Sequence, residues 1–222
     1  QLKQAIIQDA CDHLYADLKP TILPIIPSCQ TNYHRNKMDF SFGLQENKVV
    51  LGLKKRGSYK DIVPLQSCLL EDPEIPDILS VVVDYCNKQL SNQLSFQEII
   101  DTLESFMIRQ SKHTDTFMIM LTVCQDKLSL FDGLLTHLAT QFTRIESGYI
   151  CLKVAQKGSP TQVSVRHVLG KKTLKECFSN TYYLISPLSF FQTNSHQANQ
   201  LYTYIRDHAG LQSDDTVFDL YC

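Results

Sequence analysis

No two cysteines in this chain lie close enough to form a metal-binding couple. The eight cysteines are scattered through 222 residues, none nearer its neighbour than 18 positions, so there is no Cys-x-x-Cys pair. Long apolar runs are missing too. Phe117 to Cys124 is among the longest, far below the roughly 18 residues of a membrane-spanning helix, so no membrane partner is expected. No secretory signal pattern opens the chain, and unpaired thiols then point to a reducing, cytoplasmic setting. Glycine and proline are sparse at 8 each, which excludes collagen-like and low-complexity chains. An excess of one charge is absent as well: 21 basic residues meet 23 acidic ones for a net charge of −2. A nucleic-acid partner is therefore not announced by bulk charge, and only a local basic patch could carry one. No internal repeat of roughly 20–50 residues is visible.

What is present is ordinary globular composition, 43% hydrophobic and 20% charged, enough for one large domain or two modest ones. Residues 2–15 read as a loosely amphipathic helix through Leu2, Ile6, Cys11 and Leu14. Pro20, Pro24 and Pro27 then mark an extended linker. Met38, Phe40 and Phe42 alternate with Asp39 and Ser41, the period of a half-buried strand. A second strand, Val49 to Arg56, follows the turn Gln45-Glu46-Asn47. Pro76 opens a helix with Ile78, Leu79, Val82 and Cys86 on one face, and Ser95 caps a shorter one. Phe106 to Gln110 and Phe117 to Cys124 suggest a hairpin, Leu128 to Phe142 an amphipathic helix. Strands follow near 149–154, 164–167, 176–178 and 182–185, then a helix over 193–209 and a strand over 216–222.

Strands and helices mix without regular alternation until the last thirty residues. The fold class expected is an α+β central domain over residues 1–180, followed by the start of an α/β Rossmann-like domain over 181–222. A chain that opens on Gln1 and closes on the β-prone run Val217 to Tyr221 reads as a fragment.

Four segments carry a resemblance. They are Tyr33-His34-Arg35-Asn36-Lys37-Met38-Asp39-Phe40-Ser41-Phe42; Gly52-Leu53-Lys54-Lys55-Arg56-Gly57-Ser58 with Asp61-Ile62-Val63-Pro64-Leu65-Gln66-Ser67-Cys68; Ser189-Phe190-Phe191-Gln192-Thr193-Asn194; and Val217-Phe218-Asp219-Leu220-Tyr221-Cys222. In this order and spacing they resemble the RNA uracil-5-methyltransferases, the family of ribosomal and transfer-RNA enzymes that make 5-methyluridine. The match runs over nearly the whole chain, in outline only from about 86 to 180.

The resemblance implies S-adenosylmethionine-dependent methylation of uracil C5. A cysteine adds to C6 of a flipped-out uracil, the activated C5 takes the methyl group, and a carboxylate removes the C5 proton as the cysteine leaves. Both catalytic residues of the family fall after the Asp219–Cys222 segment, so they are expected beyond Cys222, and Cys222 is not the nucleophile. Gln192 and Tyr221 match cofactor-binding positions. Phe190 matches an aromatic that stacks on RNA, with core packing as its alternative. Arg35 and Lys37, with Lys54, Lys55 and Arg56, form a candidate phosphate patch or a solvated strand face. Cys68 matches the fourth cysteine ligand of a four-iron, four-sulfur cluster in ribosomal members. The three companion ligands have no counterpart here, so Cys68 is either a free thiol or one ligand of a cluster completed elsewhere. Its motif leans toward rRNA over tRNA as substrate, and a monomer is expected. The five histidines from His113 onward have no ligand spacing. The competing readings are a non-catalytic RNA-binding module that keeps the fold and, less consistent with the Tyr33–Lys37 strand, a small-molecule methyltransferase.

Overall fold

The computed structural model describes residues 2–14, 17, 18, 20–58, 60–155, 158 and 160–220. Its centre is a seven-stranded sheet in the order β3-β2-β1-β4-β5-β6-β7. The strands are β1 (Lys37–Gln45), β2 (Lys48–Lys54), β3 (Ile62–Pro64), β4 (Leu103–Gln110), β5 (Phe117–Val123), β6 (Ile145–Val154) and β7 (Gln162–Gly170). All neighbours are antiparallel except β5 and β6. A parallel pair needs a crossover, and the helix between these two strands supplies it.

Local chemistry explains most of these elements. β1 turns into β2 through Glu46 and Asn47, both at positive φ (49° and 58°), with Gln45 paired to Lys48. Two left-handed residues between paired strands make the hairpin turn whose twist matches the sheet. The helices are α1 (Leu2–Leu14), α2 (Ile75–Lys88), α3 (Phe96–Thr102), α4 (Asp132–Gln141) and α5 (Ser195–His208). Pro76 sits in the first turn of α2, and Ile75, Ile78, Leu79, Val82 and Cys86 bury its inner face. Ser95 and Glu98 close a reciprocal capping box on α3. A short 3-10 turn, Leu128–Phe131, leads into α4.

Helices α2, α3 and α4 cover one sheet face, meeting Phe40, Phe42, Phe106, Ile108, Ile119 and Leu121 in the main core. Met107, Met118, Met120, Tyr149 and Cys151 occupy the other face and pack with Leu174. Leu174 opens β8 (Leu174–Phe178), which pairs with β9 (Thr181–Ile185) as a separate hairpin. The mixed sheet with helices on one side bears out the α+β expectation.

One expectation is met without the packing its pattern suggests, and one is corrected. The helix over residues 2–14 forms, but none of its side chains is buried. It is held by Gln4, whose amide donates to Leu23 O and accepts from Ile25 N. The strand expected over 216–222, the first of the Rossmann-like α/β unit, is not formed in its described part. Residues 216–220 pair with no other described strand, and Val217, Phe218 and Leu220 are exposed. An apolar run of this kind becomes a central strand only between neighbours that cover both faces, and no described residues provide them.

Candidate nucleic-acid interface

Residues 33–36, just before β1, are pinned on both sides. Tyr33 and Arg35 donate their backbone N–H groups to Leu69 O and Leu70 O at 2.6 and 2.8 Å. On the other side, Asn36 N donates to Thr193 O at 2.7 Å, and Arg35 forms an isolated antiparallel bridge with Asn194. The Asn36 side chain completes the clamp. Its Nδ2 donates to Gln192 O at 2.8 Å and to Ser195 Oγ at 2.7 Å. Ser195 Oγ in turn lies 3.4 Å from Glu176 Oε2, a buried carboxylate that also accepts Lys112 N at 2.9 Å. Two sequence motifs more than 150 residues apart thus form one unit.

The clamp sets the shape of the segment from Ser186 to Asn194. Phe191 stacks on Phe178 at 4.8 Å between centroids and meets Tyr183 edge-on at 5.9 Å. With Phe191 anchored inward, Phe190 points outward and is 82% exposed. Phe190 therefore packs in no core, which removes that alternative. Asn194 caps α5 by accepting from Gln197 N.

Beside Phe190 lies a cavity of about 340 Å³, lined by Arg35, Lys37, Asp39, Arg109 and the 188–193 segment. Arg35 Nε donates to Lys37 O at 2.9 Å, and Lys37 Nζ sits 3.2 Å from Asp39 Oδ2. Three cations around one carboxylate give this hollow an excess of positive charge, suited to phosphate oxygens. Behind Arg35 lies Glu71, 1% exposed, with Oε2 lacking a partner. Burial pushes its carboxyl up to about 8, against the pull of Arg35 and Lys112. At neutral pH Glu71 is therefore mostly uncharged and leaves the Arg35 charge uncancelled.

The structure places Arg35, Lys37 and Phe190 around one cavity. Lys54, Lys55 and Arg56 are not part of the cavity lining. They run past the last β1–β2 pair, Ser41 with Gly52, into an exposed turn. Three contributors were not singled out from the sequence: Asn36, Arg109 and Glu71. Arg109 carried a signal, being a cation in the run Phe106-Met107-Ile108-Arg109 that otherwise reads as buried strand.

Gln192 is half-buried, and its side-chain amide bonds to no other described residue. Tyr221 lies outside the described residues. Of the two side chains expected at the cofactor, the described residues therefore include Gln192 alone. Cys68 Sγ accepts a weak bond from Leu70 N at 3.4 Å. No group of three or more metal-ligating side chains is assembled among the described residues, and one thiolate cannot hold an iron–sulfur cluster. No described helix is long and apolar enough to cross a membrane.

No family model matches the chain. Curated relatives do. The chain is 26% identical to an uncharacterized RNA methyltransferase of Bacteroides thetaiotaomicron over 99% of its own length and 52% of the relative's. It is 30% identical to one of Caldanaerobacter subterraneus subsp. tengcongensis over 85% of its length and 43% of the relative's. The chain spans about half the length of the curated relatives it matches. Among solved structures, the Pyrococcus abyssi tRNA (uracil-54, C5)-methyltransferase in complex with S-adenosyl-L-homocysteine superposes with a TM-score of 0.67. That likeness covers 93% of this chain and 47% of the other at 17% identity, and shows a shared fold. Both comparisons agree with the resemblance carried by the Tyr33–Cys68 and Ser189–Asn194 motifs.

Proposed function

We propose that this chain, a relative of the RNA methyltransferases, is the RNA-holding part of an enzyme that methylates uracil C5 in RNA. The observation that carries the reading is the convergence of Arg35, Lys37 and the exposed ring of Phe190 on one cavity, held together by Asn36. The two cations take phosphate oxygens, and the phenyl face takes an unstacked base. Such a pairing of charge with an exposed aromatic suits a strand whose bases are splayed out, the state a target uracil must reach before chemistry.

S-adenosylmethionine supplies the methyl group of this reaction when bound. In this reading the chain's part is to hold the RNA, and none of its residues is assigned as the nucleophilic cysteine or the carboxylate base. Within the chain, residues 1–180 form the recognition domain and 181–222 lead into the methyltransferase domain, with Gln192 and Tyr221 at the cofactor side. The Asp61–Cys68 motif favours rRNA over tRNA as substrate.

The test is transfer of tritiated methyl groups from S-adenosylmethionine to unmodified rRNA and tRNA transcripts by the full-length protein. Label on uridine C5 in one of the two supports the enzyme and identifies its substrate. RNA binding without label in either overturns the catalytic reading and leaves an RNA-binding module.

A further inference from the structure

Arg109 is 2% exposed, an unusual place for a guanidinium that stays charged in proteins. Its position follows from strand register. On β4 it pairs with Lys37 on one side and Met118 on the other, which puts it on the sheet face that carries Met107 and Met118. Nη2 donates to Ser189 O at 2.7 Å, the carbonyl just before Phe190. Nε and Nη1 are buried with no partner. Arg109 forms no ion pair with a carboxylate among the described residues; Asp39, whose charge reaches it, is paired with Lys37 at 3.2 Å. A buried charge with two idle donors costs far more than a buried neutral group of the same shape. Here the idle donors belong to a residue that lines the Phe190 cavity.

We propose that Arg109 is an RNA-binding residue that holds one phosphate of the strand at the floor of this cavity, next to the base stacked on Phe190. The inference rests on the RNA-holding function proposed above and adds to it the residue that fixes the depth of the strand. An anion matches the unbalanced charge as well as the free donors, whereas a neutral base would satisfy only the donors. Because Nε and Nη1 are covered, the phosphate reaches them as Ser186–Ser189, upstream of the clamped Phe190–Asn194 stretch, shift, and the bond to Ser189 O couples that shift to Phe190.

The experiment measures binding of fluorescein-labelled oligouridine to the full-length protein over a series of KCl concentrations, for wild type, Arg109→Met, Arg109→Lys and Arg35→Gln. Methionine continues the Met107–Met118 surface, so Arg109→Met is expected to fold. It should weaken binding about tenfold, the worth of one charged hydrogen bond, and reduce the slope of log affinity against log salt by about 0.7, one phosphate contact on a single strand. Arg109→Lys should keep the slope and lose affinity. A folded Arg109→Met protein with wild-type affinity and slope overturns the proposal, and if Arg35→Gln still weakens binding the RNA-holding function survives it. Should Arg109→Met not fold, Arg109→Lys decides, and wild-type affinity there overturns the proposal. Absence of oligouridine binding by the wild type overturns both.

Discussion

Asn36 reaches across more than 150 residues of sequence to Gln192, donating Nδ2 to its carbonyl oxygen at 2.8 Å and to the neighbouring Ser195 hydroxyl at 2.7 Å. The residue is 4% exposed. One amide therefore fixes the Phe190–Asn194 segment to the N-terminal end of β1, beside the cavity. Asn36→Ala leaves both acceptors without their donor in a buried setting, at a cost of about 1–3 kcal/mol. Denaturant unfolding should show that loss. RNA affinity should fall as well, although Asn36 itself does not line the cavity, because Phe190 loses its fixed relation to Arg35.

Much of this was legible along the chain, for local reasons. Glu46 and Asn47 announced the hairpin, Pro76 and Ser95 announced α2 and α3, and Arg35, Lys37 and Phe190 stood in motifs that could be read in order. What was not legible depends on contacts distant in sequence. Whether Arg109 has a partner is decided by β1, β5 and Ser189 together. Whether Val217–Leu220 forms a strand is decided by neighbouring strands, and periodicity within the run says nothing about them. The α1 apolar positions follow a helical period yet bury nothing, because an amphipathic pattern names a face and not its partner.

Phe190 and Phe191 are adjacent in sequence and opposite in role. Phe190→Leu should leave stability within about 0.5 kcal/mol of wild type, as expected at an exposed site, and weaken RNA binding by about 1–3 kcal/mol if a base stacks there. Phe191→Leu should do the reverse first, since its ring stacks on Phe178 and its loss loosens the segment. Paired thermal unfolding and RNA titration of the two variants distinguish these patterns. Equal effects on both readouts would mean that the two rings share one function.

Arg144 ties the segment that carries Glu71 to the β4–β5 turn. It binds Asp72 with two parallel bonds of 3.0 and 2.8 Å, reaches Glu74 at 3.1 Å and also pairs with Asp115. Its guanidinium lies 4.4 Å above the Phe117 ring centre. Burial alone would raise the Asp72 carboxyl, but the bonds from Arg144 and from Glu74 N hold it below its ordinary range. Arg144→Met should cost about 1–3 kcal/mol, because the carboxylates stay behind without their cation in a setting that water partly screens. A depressed carboxyl contributes stability above its unfolded value of 3.8 and loses it as pH falls through the lower folded value. The wild type should therefore lose stability steeply in acid, and Arg144→Met should lose less of it there. Unfolding free energies measured from neutral pH into acid check the sign.

Glu71 works in the opposite direction. Its folded value, raised to about 8, lies above the unfolded value of 4.5, so between these limits the native state holds a proton that the unfolded chain has released. Stability then falls as pH rises through that window, by up to about 1.4 kcal/mol for each pH unit from this one group. Glu71→Gln keeps the shape, cannot ionise, and should flatten the profile in that window. Ionised Glu71 would also place a negative charge beside Arg35 and Lys112, both of which act on it from neighbouring segments. RNA affinity in the wild type should accordingly drop as pH passes 8, and Glu71→Gln should hold its affinity across the same range. Parallel unfolding and RNA-binding series at several pH values test both halves. A wild-type stability profile that is flat from pH 5 to 8 would mean that Glu71 is ionised in the native state and that the Arg35 charge is already cancelled at neutral pH.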